Sequence, residues 1–433
     1  MFMLNGINLK KRKIRISRLG FIFIVFISIA EIYEVGYFNM YYLTCPLISL
    51  FWGAFGFVAY MTKIDRSSIR TSAVIDGMKL LLFPWIIFLV QNVIIFVSGN
   101  GNRAFLKSSF VQITFAPLFI IGACGMYYLM GKNSIRYIIY SIYINYIFII
   151  YAGFRKYGFI GFFRGIVTVF QGNSVYNPFE QNGDVLFTLG ILLIFYYESL
   201  RVKDKSDVGN IIMLITFVIF GGKKIEYLSL ILIGILLFVI KKVNNKKDLK
   251  RIIYIVAGIS VILLLIYVSF VVSGALGIWT NSHGINTMNR IKWYSLVSGY
   301  AEMSPVFLGK GYSFCNLTLE TLGYNVALHS DILKIYIEMG FLVFIFWVLY
   351  NLAYVPYKIL KKFGVRASRF FWITTLYLFM NYVTDNSTIY FTVQTVYTLL
   401  TIYLIEKAKG TEDMKTKHLL GNLKGKELES VNV

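Results

Sequence analysis

"IIYIVAGISVILLLIYVSFVV", residues 252–272, carries no charged side chain, and "KKVNNKKDLKR", residues 241–251, stands directly before it. At about 1.5 Å per residue such a run reaches across a hydrocarbon layer of roughly 30 Å. A basic cluster at one end is how the positive-inside rule marks the cytoplasmic side. Similar runs recur along the chain of 433 residues, which is 57% hydrophobic and only 15% charged. Soluble domains carry about a quarter charged residues. Membrane barrels show alternating strands of about ten residues instead, and none are evident. The fold class expected is therefore an all-α polytopic membrane protein.

Working outward from residue 252, twelve apolar spans are expected, at 19–37, 41–62, 79–98, 110–131, 136–154, 184–200, 208–222, 225–240, 252–272, 333–355, 370–386 and 388–405. The basic start "KKRKIRISR" leads into a run of full spanning length, which reads as a retained first helix and not a cleaved leader. With the N-terminus inside, all but eleven of the 43 Lys and Arg residues fall on cytoplasmic segments. Both termini are then cytoplasmic, residues 1–405 form one transmembrane domain, and 406–433 is a polar, loosely ordered tail. Two large outer loops remain, 155–183 and 273–332, the second lying between the ninth and tenth spans. The formal net charge of +22 is dispersed in clusters between spans, so it reads as topology and not as a nucleic-acid surface. Three widely spaced cysteines imply no disulfide framework.

Cations on the outer side work against the positive-inside rule and so ask for another explanation. Lys223 and Lys224, in "FGGKKIEY", either snorkel to headgroups or hold an anion in a cavity. Arg155 and Arg164 stand in the first outer loop. In the second, "NTMNRIKWYSLVSGYAEM" has helical periodicity through Trp293, Leu296, Val297 and Tyr300. Asn286 or Thr287 is positioned to cap that helix, and Arg290 shares a face with Trp293. "LHSDILKIYIEMGF" then opens the tenth span. Ser330 suits an N-cap and Asp331 suits the helix dipole, which accounts for both without function. His329 is left over, either packed at the interface or acting as a base near neutral pH. Several cations with one titratable group suit a diphosphate substrate. No Asp-x-Asp motif or histidine pair stands on the outer side, so no metal is expected.

Three stretches together resemble the O-antigen polymerase and O-antigen ligase superfamily, the Wzy-type polysaccharide polymerases. "GGKKIEYLSLILIGILLFVI" is similar to the family's span that begins with a small residue and an arginine, with Lys223 in the arginine's place. "NRIKWYSLVSGYAEMSPVFLGKGYSF" supplies Arg290, Trp293, Pro305, Leu308, Gly309 and Gly311 at the expected positions. "LHSDILKIYIEMGF" resembles a His-Asn-Asp/Ser, apolar, Glu-x-Gly signature through His329, Asp331, Glu338 and Gly340, with Ser330 where asparagine is commoner. The close resemblance covers 219–350. It implies a bacterial plasma-membrane glycosyltransferase, using no metal or other cofactor, that polymerises undecaprenyl-diphosphate-linked repeat units into capsule, exopolysaccharide or O-antigen. It also implies lipid-linked donor and acceptor substrates, and a flippase and chain-length regulator as pathway partners. By the same resemblance His329, Arg290 and Lys223 are catalytic, and Lys224, Arg155, Arg164, Trp293 and Asp331 bind substrate. A ligase of the same superfamily and a lipid-linked oligosaccharide flippase are the alternatives.

Overall fold

The computed structural model describes residues 40–62, 68–170, 179, 183–199, 205–285, 287 and 289–430, with no strand among them. The expected first span, 19–37, lies outside the described residues. Helices α1 (Met40–Met61), α2 (Ser68–Val97), α3 (Leu106–Gln112), α4 (Phe115–Met130) and α5 (Asn133–Phe170) open the fold. There follow α6 (Gly183–Ser199), α7 (Lys205–Gly221), α8 (Lys224–Ile240) and α9 (Lys246–Val272). Among the described residues six segments are long and apolar enough to cross a membrane: Thr44–Met61, Ser68–Val97, Arg103–Met130, Asn133–Thr168, Lys246–Val272 and Phe341–Phe363. Several other expected spans form shorter helices, α8 among them.

Small residues let α1 and α4 approach to backbone contact. A Cβ on Gly56 would stand 2.5 Å from the Gly125 Cα, and one on Gly125 would stand 2.1 Å from the Trp52 carbonyl oxygen. In lipid, where apolar surface alone does not favour association, such close packing is a main source of helix affinity. Near the centre lies α16 (Val365–Tyr382), buried on almost every side. Its polar side chains are satisfied inside the protein: Arg369 pairs with Glu198, and the Thr374 and Thr375 hydroxyls donate to carbonyls one turn back.

The segment 155–183, expected as the first outer loop, is in part helical. Residues 155–170 continue α5 as helix past a break at Gly158, whose φ of 68° a residue with a Cβ rarely adopts. The second contains three short helices, α10 (Ala275–Ser282), α11 (Arg290–Ser298) and α12 (Phe314–Thr321). Asn286 lies outside the described residues, and Thr287 precedes a helix that begins only at Arg290, behind Asn289. Beyond it, α13 (Asp331–Met339) ends at Gly340, and α14 (Phe341–Leu349), a π-helical turn (Tyr350–Tyr354) and α15 (Val355–Phe363) carry the chain onward.

The break at Gly340 has a physical cause. Lys310 N–H and Gly311 N–H donate to the carbonyls of Ile337 and Glu338, each at 3.0 Å, while Phe341 N–H donates to the Phe307 carbonyl at 3.0 Å. These bonds satisfy backbone groups at the helix break. A Cβ on Gly309 would stand 2.5 Å from the Glu338 oxygen, and one on Gly340 2.4 Å from the Leu308 carbonyl carbon. The Leu-Gly and Glu-x-Gly stretches are thus two halves of one interlocked turn. Last comes α17 (Phe391–Ser430), which runs helically beyond residue 405 where the sequence suggested a loose tail.

Candidate active site

Four separate segments converge at the end of the bundle where α16 gives way to α17. Gly222 (φ 66°) turns the chain after α7, and Lys223 follows in extended conformation before α8. Asn289 (φ 64°) places Arg290 at the start of α11, and His329 (φ 53°) immediately precedes the Ser330 cap of α13. The fourth segment is the connection 383–390, "VTDNSTIY".

Its Asp385 is the hub. The Lys223 Nζ lies 2.5 Å from Asp385 Oδ2. Asp385 Oδ1 accepts from the Tyr390 hydroxyl at 2.6 Å and from Asn386 N–H at 2.9 Å. The same oxygen faces His329 Nδ1 at 3.9 Å. Burial pushes the Asp385 carboxyl up, but the Lys223 charge and the hydrogen bonds it receives outweigh this and hold it well below the usual carboxylate range. Lys223 also rests on the Phe187 ring, 4.3 Å from its centroid.

The other two expected catalytic groups attach to the same connection. Arg290 donates from a terminal guanidinium nitrogen to the Thr384 carbonyl at 3.0 Å. Among the described residues it has no ion pair. One of five guanidinium donors is therefore spent on positioning, which leaves a fork for an incoming anion. The His329 ring keeps 35% of its side chain exposed, while its Nδ1 is buried and without a hydrogen-bond partner. Trp293 flanks it, ring centroids 6.2 Å apart, and the Tyr294 hydroxyl donates to the His329 carbonyl at 3.0 Å.

Ser330 caps α13 as its sequence position suggests, its hydroxyl accepting from Leu333 N–H at 3.3 Å. Asp331 does more than suit a dipole. Its backbone N–H donates to the Asp385 carbonyl at 3.1 Å, and its Oδ2 accepts from Thr388 N–H at 2.7 Å. It clamps the connection that carries Asp385. Burial pushes its carboxyl up to about 7, against the Lys334 charge and the Thr388 hydrogen bonds.

Not every expected residue joins the cluster. Lys224, Arg155 and Arg164 are exposed, and no hydrogen bond or ion pair ties them to it among the described residues. One group missed in the sequence does belong. Asp385 escaped because the expected spans 370–386 and 388–405 enclosed it, whereas α16 ends at Tyr382 and α17 begins at Phe391. Its signal was a polar stretch with one carboxylate between apolar runs. Glu226, also missed in the sequence, is fully buried near the start of α8, and among the described residues no hydrogen bond or ion pair ties its carboxylate to the cluster. No family model, curated protein or solved structure matches this chain.

Proposed function

We propose that this chain is a multi-pass glycosyltransferase of the bacterial plasma membrane that polymerises undecaprenyl-diphosphate-linked repeat units into a surface polysaccharide. In this reading twelve spans keep both termini cytoplasmic, and the cluster around Asp385 opens to the outer leaflet. One observation carries the reading: Lys223 and His329 face the Asp385 carboxylate and Arg290 bonds the Thr384 carbonyl beside it, so three residues far apart in sequence meet on one loop.

The chemistry follows from the charges. The acceptor hydroxyl oxygen attacks the anomeric carbon, the bond from that carbon to the diphosphate oxygen breaks, and the hydroxyl proton passes to His329. With Nδ1 turned toward Asp385, Nε2 takes the proton and Asp385 stabilises the imidazolium that forms. The distance of 3.9 Å shortens on substrate binding, as hydrogen bonds of empty sites often do. Arg290 offers its free fork to the departing diphosphate. Lys223 is already half-neutralised by Asp385, so it contributes less than an unpaired cation would. Stabilising charge as it develops is the largest contribution such a site makes.

A second reading has its own support. Buried ionisable residues beside a broken helix are a transporter feature, and Lys334 and Glu338 lie buried just before the break at Gly340. That reading is a flippase for the same class of lipid-linked sugar.

Expression of wild type and His329→Ala in a deletion host, with surface and lipid-linked glycan run on a sizing gel, separates the two. At equal membrane levels, the polymerase reading expects a ladder from wild type and single repeat units from the variant. A normal ladder from His329→Ala sinks the catalytic assignment. Repeat units stranded in the cytoplasmic leaflet on deletion would identify a flippase instead.

A further inference from the structure

At the opposite end of the bundle, where α5 and α7 begin and α6 ends, lies a cavity of about 750 Å³. That is within the roughly 300–1,000 Å³ of sites that hold small molecules. Lys132 and Arg136 line it from the start of α5, and Lys407 lines it from α17. Among the described residues Asp207 is the one carboxylate in its wall.

The state of those cations sets them apart from their neighbours. At this end Arg70 pairs with Glu406, Arg369 with Glu198, and Lys362 and Lys409 with Asp76. Lys132, Arg136 and Lys407 have no ion pair among the described residues. Three unneutralised cations facing one carboxylate leave the cavity with an excess of positive charge. Burial and the nearby Arg366 lower the Lys407 pKa, as expected for a cation with no anion beside it.

The rest of the wall says what kind of anion fits. The Tyr143 hydroxyl donates to Asn210 Oδ1 at 2.5 Å, and Asn210 Nδ2 donates to the Tyr196 hydroxyl at 3.0 Å, giving a polar shelf. Tyr140 and Met213 stand exposed at the rim. Farther along α5 Ile147 is exposed, and on α7 so is Ile212 beside Met213, so apolar surface adjoins the cavity. A soluble anion has no use for such a surface, whereas a lipid has acyl chains to lay on it.

From this arrangement we infer that the cavity between α5, α6, α7 and α17 binds the phosphodiester headgroup of an anionic phospholipid. Lys132, Arg136 and Lys407 hold the phosphate, the tyrosine and asparagine shelf takes headgroup hydroxyls, and the acyl chains lie along α5 and α7. Basic pockets between helices near a cytoplasmic leaflet bind such headgroups in this way. The site is independent of the Asp385 cluster and of the reaction proposed for it.

The test uses the full chain in detergent, with thermal unfolding followed during titration with dioleoyl phosphatidylglycerol, dioleoyl phosphatidylcholine or inorganic phosphate. Phosphatidylglycerol is expected to raise the unfolding temperature of wild type in a saturable way, and the other two to leave it unchanged. Arg136→Ala/Lys407→Ala weakens the apparent lipid affinity by roughly five-fold for each cation removed, since one basic residue at a charged lipid surface is worth about 1 kcal/mol. Lys246→Ala/Lys247→Ala, two cations at the start of α9 outside the cavity, keeps the wild-type affinity. An equal shift from inorganic phosphate would overturn the lipid assignment in favour of a water-soluble anion. Equal loss in the control variant would mean general surface charge, and an unweakened double variant would empty the site of meaning.

Discussion

The Glu406 and Glu198 clamps and the Asp385 loop use the same residue types in opposite ways. Around Glu406 the charges are matched into clamps: Arg70 and the Tyr127 hydroxyl both reach Glu406, and Arg369 grips both oxygens of Glu198 at 2.7 and 3.0 Å. Around Asp385 polar atoms are left over. His329 Nδ1, Asp331 Oδ1, Thr384 Oγ1, Asn386 Oδ1 and Ser387 Oγ are buried there without partners. A buried polar atom without a hydrogen bond costs roughly 1–3 kcal/mol, so a cluster of them is retained only against strong selection for stability. Matched charge holds helices together, whereas the unmatched polarity around Asp385 is what the proposed site would offer a substrate.

The largest effect expected is that of Asp385→Ala. It removes the partner of Lys223, the acceptor for Tyr390 and the group facing His329 in one step. Breaking a buried pair from one side typically costs about 3–5 kcal/mol, so the unfolding temperature falls and polymer is lost together. Next comes Glu198→Ala at the other end, which strands Arg369. Its cost in stability is of similar size, but polymer made per folded molecule stays at the wild-type level. If Glu198→Ala abolishes synthesis while the protein remains folded, the division between clamp and site is wrong.

What could be read in the sequence and what could not follows the same division. The helical membrane class was legible because hydropathy is local and the bilayer has a fixed thickness. His329, Arg290 and Lys223 were legible as residues out of place, since cations and a histidine beside apolar runs need a reason. Their meeting point was not, because it depends on where α16 stops, and spans drawn from hydropathy have soft ends. Arg155 and Arg164 stood out for the same reason as Arg290, yet the continuation of α5 through Phe170 leaves them exposed on a helix. Anomalous charge therefore singled out candidates, and tertiary structure shows which of them meet on the loop 383–390.

Arg290→Ala tests whether the free guanidinium fork acts on substrate. Its one observed bond goes to a loop carbonyl, so stability changes little, while turnover falls by roughly 10²–10³-fold, the usual loss for one donor to developing charge. Arg290→Lys restores the charge without the fork and recovers only part of the activity. Full activity in the lysine variant would reduce Arg290 to a point charge.

A pH-dependent effect sharpens the comparison within the site, between two aspartates joined through their backbones. Asp385 is favoured as the ion in the folded protein, so its contribution is complete at any pH above the ordinary carboxylate range and is lost only in more acidic solution. Asp331 runs the other way. With its carboxyl pushed up to about 7, the folded state holds a proton that the unfolded chain releases near pH 4. Between those values Asp331 makes stability fall as pH rises, by at most about 1.4 kcal/mol per pH unit, and above 7 it adds no further slope. Asp331→Asn keeps an oxygen for the Thr388 N–H and removes the proton. Thermal unfolding of wild type and variant from pH 4.5 to 7.5 should therefore converge toward acid and separate toward neutrality, with the variant the more stable at the upper end. Parallel curves would mean that Asp331 is ionised throughout, and the unpartnered Oδ1 would then need a cation or a bound water to account for it.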